Sequence, residues 1–408
     1  MIAEQFPLVL ERGCGIDVHR DTAVATIKGK DIITETRTFG TFTSDLYHLA
    51  GWLQNHGVTH VAMESTGVYW KPVYYILEEF FEIILVNARH IKNVPGQKTD
   101  KKDSEWIAKL LMSGLLKGSF VPPEKIRELR VLHRHRRKLI GQRTAEKNRL
   151  QNVLEDANIK LGSVVSDVFG KSGSAMVNAL INGETDLDAL AALAKGSLVK
   201  KKESLRKALQ GRVTDHHRFM LNMIRENINN TNNQIAQLEA RMNTYLLDME
   251  HQVRLLKTIP GVSDGIATGI IAEIGVDMDH FPSHRHIASW AGVCPGNNES
   301  AGKKMSTRTS HGNKYLKTTL VEAAWVASRS KTNPVLASKH KALSIRRGSK
   351  KATIAIGHKI LTAAYHVLRD NTPYLPHNQD KKIAEQRRLK KIERLEKQLK
   401  ALKQTSQN

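Results

Sequence analysis

Hydrophobic positions along the first 120 residues change period several times, and each change marks an element. Within residues 13–40, "GCGIDVH", "TAVATIKG" and "DIITETRTF" run apolar or alternate, predicting three strands in succession with a turn near Gly29. Residues 44–56 switch to a helical period, with Ser44 as the cap. A short strand of the buried type follows at 58–66, then a helix at 69–81 with Pro72 in its first turn, a strand at 82–88 and a helix within 98–111. Three strands, helix, strand, helix, strand, helix is the order of a mixed sheet with helices packed on it.

Beyond "FVPPEK" the pattern is helical. Leu129, Leu132 and Leu139 form one apolar stripe, resumed by Leu150, Val153 and Leu154, which predicts a long helix. Residues 160–215 read as several short helices with a Gly and Ser break at 170–174. A second long helix is predicted from about His216 to Leu256, where Ile224, Ile228, Ile235, Leu238 and Met242 make a heptad seam. The Asn-rich "NINNTNN" inside it is either a weak point or a polar layer that sets register. Two seamed helices flanking a small insert predict an antiparallel hairpin or a dimerising stalk. From "TIPGVSDGIATGIIAEIG" the chain enters a mainly helical region that opens with a helix-hairpin-helix pattern. The domains expected are 1–120, 121–254, 255–376 and a basic helical or disordered tail, 377–408.

Composition narrows the partner. The chain has 408 residues and a formal net charge of +23, which points to a polyanion, most simply nucleic acid. Residues 125–149 alone hold ten Lys or Arg against two acids. Aromatics are only 5%, so phosphate contact is favoured over stacking on bases. Two cysteines 280 positions apart, Cys14 and Cys294, make neither a disulfide framework nor a Cys zinc site. No apolar run is long enough for a membrane span, and no secretory signal opens the chain, so a cytoplasmic protein is expected.

Four acids change the picture further. Asp17 lies inside a strand, between Ile16 and Val18, although Asp disfavours strands. Glu64 ends a later strand, and Asp100 and Asp103 open the helix in "KTDKKDSEWIAKLL". Singly, each has an ordinary explanation: first-turn acids cap a helix and complement its dipole. As an ordered set on two strands and a helix, they could converge. Clustered carboxylates need a compensating charge, and Mg²⁺, a hard ion that prefers oxygen ligands, supplies it.

"GIDVH", "AMESTGVYW" and "KTDKKDSEWIAKLL" resemble the RuvC-like, RNase H-fold domain of the DEDD transposases of bacterial insertion sequences. This family is also called bridge-RNA-guided recombinases and is related to pilin-gene invertases. The resemblance, which extends over about residues 10–375, implies that Asp17, Glu64, Asp100 and Asp103 are the metal-binding catalytic acids.

In "WAGVCPGNNESAGKKMSTRTSHGNKYLKTTLVEAAW" a phosphate loop is excluded, since the spacing is one residue too long and Lys304 stands where Ser or Thr is required. What remains is Ser300 beside Ala301 and Gly302, followed by Lys303, Lys304 and Arg308. A serine among cations could attack a phosphodiester while the cations stabilise the developing charge, yet from the residues alone an ordinary loop serine is the favoured reading. The family carries a serine nucleophile in a Ser-Gly-Gly-Lys loop, so the resemblance implies that Ser300 is catalytic; Ser306 and Ser310 are the reserves. It also implies a structured guide RNA, a homo-oligomer (dimer or tetramer), and a site composed of acids from one subunit and serine from a neighbour.

The expectation is thus an enzyme of mixed α/β and helical architecture that cuts and rejoins double-stranded DNA through a serine-linked intermediate. Nucleic-acid contact is expected at Arg134, Arg136, Arg137, Lys138, Arg143, Gly261, Lys303, Lys304 and Arg308, helped by His133 and His135. Two rivals remain at this level: a RuvC-like nuclease that uses water, and a basic binding protein without chemistry.

Overall fold

The computed structural model describes residues 9–65, 67–87, 103–295, 298–306, 308–330, 334–375 and a few positions between 388 and 396; for 298–300 and 304 it describes the backbone alone. The chain divides into two compact units, Met1–Val121 and Pro122–Asn408.

The first unit is built on a five-stranded mixed sheet. Strands β1 (Arg12–Val18), β2 (Thr22–Gly29) and β3 (Glu35–Gly40) form an antiparallel meander, and β4 (His60–Glu64) and β5 (Glu82–Val86) add in parallel beside β1, giving the order β3-β2-β1-β4-β5. Helices α1 (Thr43–Asn55) and α2 (Trp70–Leu77) cover one face. Ser44 does not cap α1. Its N-cap is Phe42, whose side chain bonds nothing there, and Asp45 supplies the acid of the first turn. Helix α2 ends at Leu77, four residues earlier than its apolar run suggests, because Phe81 turns into the core instead.

Alternation decides which side chains face which layer. Cys14, Ile16 and Val18 of β1 and Val61 and Met63 of β4 point to the α1 and α2 side, where they pack with Leu49, Leu53, Val73 and Leu77. The intervening residues face helix α3 (Asp103–Met112), which lies across β1, β2 and β4. Ala62 packs there with Ile107, Leu110 and Leu111. Gly13 and Gly15 leave the space that α3 occupies: a Cβ on Gly15 would stand 2.3 Å from both Ala108 N and the Ser104 carbonyl oxygen.

The second unit is organised by two long helices, α4 (Glu124–Asp156) and α5 (Asp215–Leu246). They run antiparallel, and their cross-links rise on one helix as they fall on the other: Lys125 with Asp248, Glu128 with Tyr245, Arg136 with Glu239, Arg143 with Asn232, and Asp156 with His217. One Asn of the "NINNTNN" stretch thus contributes a side-chain cross-link. Around the far end, the short helices Lys171–Ile181, Leu187–Ala192 and Lys202–Leu209 share a core with Leu150, Leu154, Leu221 and Ile224.

The second long helix does not continue to Leu256. It stops at Leu246, passes through a 3₁₀ turn at Leu247–Met249 and restarts as α6 (Glu250–Lys257). The break falls where α4 begins, so beyond it no partner helix remains to hold the seam. The rest of the unit packs α7 (Asp264–Ile274), α8 (His284–Trp290), α9 (Lys314–Arg329), α10 (Pro334–Arg347) and α11 (Ser349–Arg369) into a helical core. Between α8 and α9 the expected loop contains a two-stranded ribbon, β6 (Asn298–Ser300) and β7 (Lys303–Ser306). Among the described residues, no helix is long and apolar enough to cross a membrane.

Candidate active site

Asp17 is two residues after Gly15 on β1, so it shares the face that meets α3. On β4 the same face carries Ala62 and therefore Glu64. Strands β1 and β4 are parallel and pair Ile16 with Met63, so the next residue on each, Asp17 and Glu64, lie side by side at the carboxyl ends of neighbouring strands. Asp103 is the first residue of α3. Its neighbour Ser104 is buried and shares a hydrogen bond of 2.8 Å with Thr26 on β2, while Lys28 donates to Glu105 at 3.2 Å. Those bonds and the contact at Gly15 fix where α3 begins.

Asp17 feels the charge of two of the other acids. The Asp17 carboxyl titrates above its ordinary value, chiefly because it is partly buried and further because Asp103 and Glu64 oppose its ionisation. His19, whose Nε2 lies 3.1 Å from Asp17 Oδ2, acts in the opposite sense. Asp17, Glu64 and Asp103 carry the hard oxygen donors that a divalent ion suits. Among the described residues, no three His, Cys, Asp or Glu side chains are drawn together at metal-binding spacing. Asp100 lies outside the described residues.

Ser300 ends β6 and pairs with Lys303 of β7 across a tight turn. Both central residues have positive φ, Ala301 at 49° and Gly302 at 75°, the geometry of the two-residue hairpins that follow strand twist. A glycine would take the Ala301 conformation without strain, which is a physical reason for the Gly-Gly pair in the resembling loops. Lys303 and Arg308 are exposed, and Ser306 accepts from the Arg308 backbone N–H at 3.2 Å. The Ser310 hydroxyl is buried, with no partner among the described residues.

The cations of α4 have other uses than those the sequence suggests. Arg134 forms a two-pronged pair with Glu273 of α7, at 2.8 and 2.7 Å, and covers the Tyr315 ring at 4.3 Å. Arg130 donates to the carbonyls of Ala272 and Glu273. Arg136 pairs with Glu239, Arg137 with Glu322 and Thr319, and Arg143 with Asn232. Of the five α4 cations expected to hold nucleic acid, only Lys138 is exposed without an ion pair among the described residues. His133 is a correction: it is 5% exposed, and burial lowers its pKa to about 4, so it is a neutral core group rather than a phosphate contact. Gly261, with φ of 88°, owes its identity to packing, since a Cβ there would stand 2.4 Å from the Ala323 carbonyl oxygen.

Glu273 is the residue that sequence reasoning missed. It is fully buried, and besides the two arginines it accepts from Asn313 Nδ2 at 2.5 Å. Asn313 in turn caps α9 through Tyr315 N and Leu316 N. One carboxylate thus joins α4, α7 and the start of α9. A lone acid within "GIIAEIG", together with arginines spaced i and i+4 on another helix, is the signal that could have found it.

A mixed sheet in this order, with acids at the ends of its two central parallel strands, fits an α/β domain of RNase H type. Comparison with known proteins specifies the family. Residues 14–159 match the transposase family model for the DEDD domain of the IS110 group, and residues 253–341 match that for the transposase IS116/IS110/IS902 family. The two matches span more than half of the chain, which belongs to the IS110-type DEDD transposases. Among its relatives is a pilin gene-inverting protein of Moraxella bovis, 25% identical over 390 residues, covering 91% of this chain and 98% of the relative. A probable family 20 transposase of Pseudomonas aeruginosa is 22% identical over 322 residues, 78% of this chain and 86% of the relative.

Proposed function

We propose that this transposase cuts and rejoins double-stranded DNA by transesterification through a serine-linked intermediate. In this reading Asp17, Glu64, Asp100 and Asp103 hold Mg²⁺, and Ser300 is the nucleophile. Bound there, the ion would polarise the scissile phosphodiester and offset the charge of the four acids. The Ser300 hydroxyl attacks phosphorus, a deoxyribose oxygen leaves and takes up a proton, and the strand becomes a phosphoserine ester. A deoxyribose hydroxyl of the exchanged strand then attacks that ester and frees the serine. One phosphodiester is lost and one is made, so no nucleotide hydrolysis is required. Lys303, Lys304 and Arg308 would stabilise the charge that develops on the phosphoryl oxygens. A structured guide RNA would choose the sites, and a homo-oligomer would bring two DNA partners together.

The observation that supports this reading most is the placement of Asp17 and Glu64 side by side at the carboxyl ends of β1 and β4, with Asp103 opening the helix that crosses them. The test is a denaturing gel of full-length protein incubated with labelled, nicked duplex, Mg²⁺ and the RNA transcribed beside the gene. A protein–DNA adduct that disappears in Ser300→Ala and in Asp17→Asn is expected. Cleavage without an adduct, unchanged in Ser300→Ala, would instead mean a nuclease that uses water. A protein that binds DNA but leaves it intact would mean an architectural role.

A further inference from the structure

Between Glu322 and Asp370 the chain carries no acid at all, but ten Lys or Arg. Helices α10 and α11 lie within this interval and are joined at Gly348, whose φ is 82°. Arg346 and Arg347 end α10, and Lys350 and Lys351 fall in the first turn of α11, so four cations occupy six positions at one turn. All four are exposed, and among the described residues none meets a carboxylate. The contrast with α4 is what gives the cluster meaning. There, arginines of similar density are consumed by Glu273, Glu239 and Glu322. Here the positive charges repel one another, with no carboxylate among the described residues paired to offset them. The start of α11 adds to the field, because its N-cap supplies no side-chain bond and its first N–H groups carry partial positive charge.

We infer that the α10–α11 turn is a phosphate-backbone contact of this protein for double-stranded DNA, in place of the α4 face. It rests on the reading of the chain as a DNA-processing enzyme and gives that reading a binding surface. Duplex DNA is the occupant because it is what a transposase processes. Four compact cations on a helix-to-helix turn match phosphates, which supply affinity and register without sequence readout.

The experiment measures equilibrium binding of full-length protein to a random-sequence duplex as salt is varied. Each lost phosphate contact makes the plot of log affinity against log salt shallower by about 0.9. A variant with Arg346, Arg347, Lys350 and Lys351 all changed to Gln should therefore lose about 3 to 4 from the slope, with an unchanged melting temperature. A charge-matched control changes the exposed Lys200, Lys201, Lys202 and Lys207 to Gln and should leave the slope near that of the parent. An unchanged slope in the first variant, an equal loss in the control, or a loss seen only with a structured RNA hairpin would overturn the inference. The serine adduct is scored on the same preparations with high protein, where binding is saturated. If the parent protein forms no adduct, the serine chemistry falls, while the slopes still judge the turn on their own.

Discussion

At Asp17 the fold holds a carboxyl whose ionisation is opposed by burial and, to a lesser degree, by Asp103 and Glu64. Its folded pKa lies above the ordinary 3.8, so whatever stability it contributes is complete below that value and disappears as pH rises through the folded one. At neutral pH without metal, the ionised group therefore works against folding. Asp17→Asn should melt above the parent protein in chelator at pH 7.5 while losing DNA cleavage. Magnesium should raise the melting temperature of the parent more than that of the variant, since binding to the folded state alone stabilises it. Equal magnesium shifts in the two proteins would detach Asp17 from the metal. Gly15 governs the same site from below. Gly15→Ala drives a methyl into the α3 backbone at Ser104 and Ala108. The expected cost is about 3 kcal/mol in chemical denaturation, from overpacking, with a loss of cleavage as Asp103 shifts from its place. A variant of parental stability and activity would show that α3 can move without consequence.

At the scale of elements, much of the first unit was legible in the sequence, because period-two alternation is a direct image of a sheet with helices on its two faces. Ile16 and Val18 read as core and Asp17 as the exception between them, and the sheet places them so. The tight approach of α3 was not legible, since nothing in "GCGIDVH" shows which layer its glycines admit. The ribbon at Ser300 was missed as well: Ala301 is a poor residue for positive φ, so the turn lacked its usual Gly signal. Helix α4 misled in a different way. Its arginines announce charge, but only the three-dimensional structure shows that Glu273, Glu239 and Glu322 answer them. Its His133 is testable by pH. Folded at about 4 against an ordinary 6.5, it contributes stability that is present above 6.5 and lost as pH falls between those values. The whole effect amounts to about 3 kcal/mol. His133→Leu should flatten the acid limb of the stability curve between pH 6.5 and 4. Because the Nδ1 atom has no partner among the described residues, little should be lost at pH 8. An acid limb as steep as the parent's would place its origin elsewhere.

For the whole molecule, the acids belong to the first unit and Ser300 to the second, and our reading has them act on one phosphodiester. If neighbouring subunits share the work, mixing Asp17→Asn with Ser300→Ala protein should restore part of the adduct and of recombination that each alone lacks. If one chain supplies both, the mixture should remain as inert as its parts. Within the second unit, the α4–α5 pair keeps its register from Lys125 and Asp248 to Asp156 and His217. The 33 residues of α4 make it about 50 Å long. The pair is in effect a ruler, with one small core at each tip. A single residue inserted into one arm would swing everything beyond it by about 100°, whereas seven taken from each arm would bring the tips about 10 Å closer and leave the greasy edges still facing. Natural changes in the length of this segment should therefore come in matched multiples of seven.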